Sequence, residues 1–235
     1  MKKNKSLRLA SVLLMLCLIT TCAVSGTFAK YTTSASSFDT AHVAKWDMSI
    51  VVNAAKDFAP NLDDVVGDDG VAIKASDAVT NKLAPGSQGT MFVATIKGQP
   101  EVIYNVTINF TLTLSDWVVD ANDYCPVVFT VNSETYSLTD MGGTHESATV
   151  ADLKVAVENA VVQALQTGNT VNYTANDTHF AAGKEVTLSW AWAFRTGADE
   201  TAKAANDIKD TALGDADTLA TIGYNLGIVI NQLDK

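Results

Sequence analysis

Between Val102 and Leu114 a large apolar residue occupies every second position. Val102, Tyr104, Val106, Ile108, Phe110, Leu112 and Leu114 alternate with Ile103, Asn105, Thr107, Asn109, Thr111 and Thr113. A period of two sustained that long predicts a strand with one buried and one wet face, which belongs in an antiparallel sheet. The same alternation returns at 186–194, where Val186, Leu188, Trp190, Trp192 and Phe194 share a face, and at 220–233, where Ile222, Tyr224, Leu226, Ile228 and Ile230 do. Gly223 and Gly227 fall on the opposite face of that last segment, which points to a thin or closely approached outer surface. Val127–Val131 and Glu134–Leu138 read as a hairpin turning at Asn132-Ser133, and Met91–Lys97 as a further strand. Val43 to Val52 reads as the first core strand, with Trp46, Met48 and Ile50 alternating against Lys45 and Asp47.

Two stretches break this rhythm. From Thr149 to Thr167 the apolar positions Val150, Leu153, Val157, Val161, Ala164 and Leu165 recur at three and four, the signature of an amphipathic helix. Thr149 and Asp152 are placed to cap its start, and Gly168 is placed where a left-handed terminating residue would stand. Residues 199–213 carry Ala, Lys, Glu and Asp in helix-compatible order and stop at Gly214. Residues 53–90 are rich in Gly, Pro and Asp and predict loops, with at most one short strand near 71–74; Pro85-Gly86 marks a turn. Seven to nine strands, one or two inserted helices and no βαβ rhythm predict an all-β fold. The expected architecture is a single antiparallel β-sandwich, jelly-roll-like, over residues 30–235, with the 149–167 helix in a crossover or capping an end.

The N-terminus changes the picture from fold to compartment. Lys2, Lys3, Lys5 and Arg8 precede an apolar run from Leu9 to Val24. Charge followed by a short apolar run is the order of a secretory signal peptide. The run falls short of the roughly 20 apolar residues needed to span a bilayer, so we read it as cleaved and not as an anchor. Small residues Thr27 and Ala29 place the signal-peptidase cut after Ala29, and the exported chain then begins at Lys30. Cys17 and Cys22 leave with residues 1–29. Cys125 alone remains, so packing and not disulfides must hold the core. The formal net charge goes from -10 to -14, with 12 basic against 26 acidic residues left. Nucleic acid is excluded as a partner on that ground. The acidity is read as solubility and repulsion between copies, screened by salt.

Candidate chemistry is sparse. His42, His145 and His179 stand far apart, and His145-Glu146 lacks the second histidine of a zinc-protease helix because Thr149 and Val150 occupy its places. The acids Asp57, Asp63, Asp64, Asp68 and Asp69 lack the spacing of a calcium loop. There is no nucleophile elbow, phosphate loop or dinucleotide fingerprint. Cys125, before Pro126, reads as a buried inert thiol. The expectation is a protein without enzymatic activity, cofactor or metal.

Several short runs resemble the TasA/camelysin family of secreted proteins. They are Gly26-Thr27-Phe28-Ala29-Lys30-Tyr31-Thr32-Thr33-Ser34, Val43-Ala44-Lys45-Trp46, Leu83-Ala84-Pro85-Gly86-Ser87, Gly98-Gln99-Pro100-Glu101-Val102 and Asp210-Thr211-Ala212-Leu213-Gly214, in order along nearly the whole chain. The resemblance implies export from a Gram-positive-type bacterium through an ER-type signal peptidase. It further implies a jelly-roll subunit of extracellular biofilm-matrix fibres, joined head-to-tail by donated N-terminal strands. Residues 30–41 suit that role: the stretch is extended-prone, uncommitted to a core and expected to be mobile once freed. The donor segment is then Lys30, Tyr31, Thr32, Thr33, Ser34, Ala35, Ser36, Ser37 and Phe38, with Tyr31 and Phe38 as anchors by size. The implied partner is the chain itself, in a homopolymer, with an anchoring or assembly protein left open and membrane contact only through the signal peptide. Two other readings compete. One is a monomeric surface module that binds glycan or calcium through residues 53–90. The other is a camelysin-like surface protease, for which the chain offers no ligand set.

Overall fold

The computed structural model describes residues 43–54, 61–62, 65–66, 72–73, 83–194, 196–197 and 199–233. In chain order the elements are β1 (Met48–Ala54), β2 (Asn61–Leu62), β3 (Val65–Val66), β4 (Ala72–Ile73), β5 (Ser87–Gly98), β6 (Tyr104–Ser115), β7 (Val118–Val119), β8 (Asn122–Asp123), β9 (Val127–Val131), β10 (Glu134–Leu138), β11 (His145–Ser147), α1 (Val150–Leu165), β12 (Thr170–Tyr173), β13 (Lys184–Trp192), α2 (Glu200–Gly214) and β14 (Thr221–Gln232). One sheet runs β1-β5-β13-β9-β10-β11, with β2 also beside β5. A second runs β12-β6-β14, and β3–β4 and β7–β8 form small pairs. All pairings are antiparallel except β10 with β11.

The architecture is an all-β sandwich with two inserted helices, and the alternating segments explain it. Tyr104, Val106, Ile108, Phe110 and Leu112 of β6 and Val186, Leu188, Trp190 and Trp192 of β13 are buried, and their alternating neighbours are not. The two sheets meet through ring contacts. Phe92 of β5 lies 5.6 Å from Phe110 of β6 and 5.3 Å from Tyr224 of β14. Helix α1 lies in the crossover from β11 to β12 and fills the second layer beside β6. It buries Leu153, Val157, Val161, Val162 and Leu165 and packs against β6, β13, β9, β10 and β11. Thr149 caps it as expected, accepting from the Asp152 amide at 3.1 Å. Asp199 does the same for α2, accepting from the Ala202 amide at 2.8 Å.

Several expectations need correction. Residues 43–47 are outside any strand, and among the described residues β1 is an edge strand and not a core one: Ile50, Val51 and Val52 are 39%, 50% and 45% exposed. Two-residue ladders raise the number of strands above the seven to nine expected; β4 falls at the one short strand expected near 71–74, while β2 and β3 lie in the stretch read as loop. Gly168 is not in the left-handed region. Helix α1 ends instead at an extended Gln166, whose side chain holds the surrounding carbonyls. Strand β13 ends at Trp192, which leaves Phe194 outside it. Met91 and Phe92 are both buried because the register slips between Leu188 and Ser189, which pair with Phe92 and Thr90. Met91 is thus an extra residue in β5. The freed Met91 carbonyl accepts from the Tyr224 hydroxyl at 2.9 Å, which ties β5 to β14.

Candidate functional site: the two open edges

An antiparallel strand turns its main-chain groups to alternate sides, so the hydrogen bonds to one neighbour identify the groups left for another. The Leu233 amide donates to the Ile103 carbonyl at 2.9 Å, in register with the Thr221↔Ser115 to Gln232↔Tyr104 ladder. Odd-numbered residues of β14 therefore face β6. Ile222, Tyr224, Leu226, Ile228, Ile230 and Gln232 turn their N–H and C=O groups to the other side, where no strand pairs with β14 among the described residues. The same reasoning applies to β1. Gln99 and Glu101 amides donate to the Asp47 and Lys45 carbonyls at 3.1 and 3.0 Å, so Met48, Ile50 and Val52 present their main chain outward. In both strands the residues offering main-chain groups are also those whose side chains point toward the core. A guest strand would gain hydrogen bonds and cover apolar side chains in one step.

The two edges lie on the same side of the sandwich and run in opposite directions. Trp46 meets Tyr104, the register partner of Gln232, edge-on at 6.4 Å. At the other end Phe92, the partner of Ala54, packs on Tyr224. Between these lips the apolar row is incompletely covered. Ile50 and Val52 are exposed, and Ile222, Tyr224, Leu226, Ile228 and Ile230 are only half-buried, whereas the β6 partners of the last four, Leu112, Phe110, Ile108 and Val106, are buried.

Among the described residues the other edges are short or capped. The free side of β6 beyond β12 is occupied: its Ile108 amide donates to the Asn169 carbonyl at 2.7 Å, and its Leu112 amide to Glu158 Oε1 of α1 at 2.9 Å. The far edge of the large sheet is β11, three residues long. Short edges and side-chain caps are how sheets avoid unwanted pairing. Strand β14, twelve residues without a charge or a proline, has neither protection among the described residues.

The residues singled out for export and donation, Thr27, Ala29 and Lys30 to Phe38, lie outside the described residues, as do His42 and the acids at 57–69. The remaining histidines are kept apart. His145 Nε2 lies 3.0 Å from Glu134 Oε2 with its ring stacked on Tyr136, and His179 Nε2 lies 2.8 Å from the Leu165 carbonyl oxygen, its ring against Tyr173 and Phe180. Among the described residues no three His, Cys, Asp or Glu side chains come together as a metal would need. Burial pushes the Cys125 thiol up to about 12, so it stays protonated and unreactive at neutral pH. Sequence reasoning missed the Asp210 cluster. Its carboxylate accepts from the Tyr124 hydroxyl at 2.6 Å and from Trp192 Nε1 at 3.3 Å, which pins α2 to the core. Burial holds this carboxyl above the usual range, with the two donors pulling the other way. No protein-family model and no curated protein matches the chain.

Proposed function

We propose that this chain is a secreted structural subunit of extracellular matrix fibres that assembles head-to-tail: the N-terminal segment of one copy adds as a strand to the open edge of the next. The observation that supports the reading is β14, a twelve-residue uncharged edge whose outward main-chain groups and half-buried inward side chains alternate in phase. Residues 30–38, read as the donor, span about 30 Å when extended, against about 40 Å for β14. Each main-chain hydrogen bond formed contributes roughly 0.5–1.5 kcal/mol net, and the covered apolar surface about 25 cal/mol per Å². Thr and Ser in the donor would leave most of the selectivity to Tyr31 and Phe38. A contact between unlike surfaces does not close on itself, so the product is a filament.

The test is Ile228→Lys. In a free subunit the half-buried edge position lets the lysine stem lie along the strand with its ammonium in water. Under an added strand the charge would be enclosed at a cost of several kcal/mol. The exported chain, starting at Lys30, is expected to form filaments by electron microscopy. The Ile228→Lys variant and a chain lacking residues 30–41 should remain monomeric and folded, and Val229→Lys, one residue along on the outer face, should still polymerise. Filaments from Ile228→Lys or from the chain lacking residues 30–41 would refute the mechanism.

A further inference from the structure

The three-stranded sheet differs from the rest of the molecule in charge. The chain has 26 acidic and 16 basic residues. Yet β6, β12 and β14, two twelve-residue strands and a four-residue one, contain none. On the inner face this is ordinary core. On the outer face it is unusual, because wet strand faces are where sheets normally carry Lys and Glu. The outer face of the large sheet does so with Lys97 and Glu185, the latter accepting from Thr95 Oγ1 at 3.0 Å. The outer face of the small sheet carries neutral side chains in register: Asn109 beside Gly227, Thr111 beside Asn225, Thr113 beside Gly223. The two glycines add no side chain, so the β14 side of the face is low and flat, and Asn109, Thr111, Thr113 and Asn225 are exposed.

We infer that this uncharged face is a lateral contact between copies of the chain, small sheet against small sheet. Charge selects the occupant. Two copies of a protein this acidic repel each other wherever carboxylates meet, and this is the broad described surface on which they can approach without bringing carboxylates together. Amide and hydroxyl groups both donate and accept, so the same face can satisfy itself across a two-fold axis. The area sets the strength. Two strands of about 40 Å and the four residues of β12, about 13 Å, spaced about 4.8 Å apart, give roughly 400–450 Å² per copy, or about 800–900 Å² for the pair. That is below the roughly 1,000 Å² of a specific stable interface, so a pair of free subunits would hold weakly. Repeated along a filament, the same contact becomes multivalent and ties filaments side by side. In that setting the inference rests on the fibre reading, but the surface itself does not depend on it.

The experiment compares the exported chain with Asn109→Glu/Thr113→Glu, which places two carboxylates on the face, and with Val155→Glu/Asn159→Glu, which adds the same charge on the exposed side of α1. Negative-stain microscopy reads bundling, and sedimentation velocity reads association. Near 0.15 M salt, filaments of the exported chain and of the α1 variant should lie side by side. Filaments of the face variant should be single and of unchanged length, with at least a tenfold loss in the bundled fraction. Equal bundling in all three, or equal loss in both variants, would overturn the inference while leaving the fibres intact. If no filaments form, it is the fibre reading that fails. The face is then read from subunit dimerisation: it stands if only the face variant loses a dimer, and falls if the unmodified chain is monomeric up to about 1 mM.

Discussion

Gln166 gives the most demanding stability test. It is 1% exposed at the end of α1, and its Nε2 lies 3.2, 2.6 and 3.1 Å from the carbonyl oxygens of Val106, Gly168 and Asn169. Its Oε1 accepts from the Tyr173 hydroxyl at a longer 3.4 Å. Two amide hydrogens thus serve three acceptors on β6 and on the connection to β12. Gln166→Leu keeps most of the volume and strips these carbonyls of their donor. At roughly 0.5–1.5 kcal/mol per net hydrogen bond, with buried acceptors left unpaired, the loss should be about 2–4 kcal/mol. For a chain of this size that lowers Tm by about 5–15 °C. Gln166→Glu should be worse near pH 7, because a carboxylate would face three carbonyl oxygens with no hydrogen to offer. Its folded-state pKa would be raised, so the stabilising protonated form is lost as pH rises, and the variant should recover toward wild type as pH falls to about 4. Thermal unfolding at pH 7 and pH 4 measures the series. A Gln166→Glu protein at least as stable as Gln166→Leu at pH 7, or one that does not recover in acid, would refute the donor role.

Two further outcomes follow from other contacts. Asp210 has its folded pKa raised by burial, so ionising it costs stability: the stability of the wild type relative to Asp210→Asn should increase as pH drops from 7 toward 4, and parallel denaturation curves across that range would contradict the assignment. Gly98 has φ 151°, and a Cβ there would fall inside the Asp47 carbonyl oxygen. Gly98→Ala should therefore cost at least about 1–3 kcal/mol and show first as faster amide exchange along Met48–Ala54, the strand that Gly98 registers; unchanged protection of β1 would exclude the clash.

What the sequence disclosed follows from what periodicity can report. Alternation at Tyr104–Leu112, at Val186–Trp192 and at Ile222–Ile230 identifies the side that faces the core, and the structure puts it there. Alternation does not report what lies beside a strand. Trp46, Met48 and Ile50 read as core for that reason, although among the described residues β1 pairs on one side only, and Ile50 is 39% exposed. The Met91 bulge is a single extra residue, visible in the sequence only as two adjacent apolar side chains. Helix α1 ended at Gln166 and not at Gly168 because a buried amide could reach carbonyls of β6, a long-range contact that no local signal encodes. The candidate site was half legible: the glycines and the missing charges of β14 stand in the sequence, while its position at an open edge depends on the order of strands.

That position sets two forces against each other, and salt decides between them. Strand β14 offers an uncharged twelve-residue edge, while the chain as a whole carries a formal charge of -10, and the proposed exported form beginning at Lys30 carries -14. Pairing at the edge acts over hydrogen-bond distances and scarcely depends on ionic strength. Repulsion between whole copies acts over the Debye length, about 30 Å at 0.01 M and about 8 Å at 0.15 M. In dilute salt two subunits therefore repel before the edge is within reach, and at physiological salt they do not. The concentration at which the proposed exported form begins to polymerise should fall as salt rises across that range, and lowering pH, which protonates carboxylates and reduces the net negative charge, should act in the same direction. Light scattering against protein concentration at each salt level gives the onset. An onset that stays constant, or rises with salt, would mean that subunits are joined through charged groups, and the uncharged edge of β14 would then not be the joint.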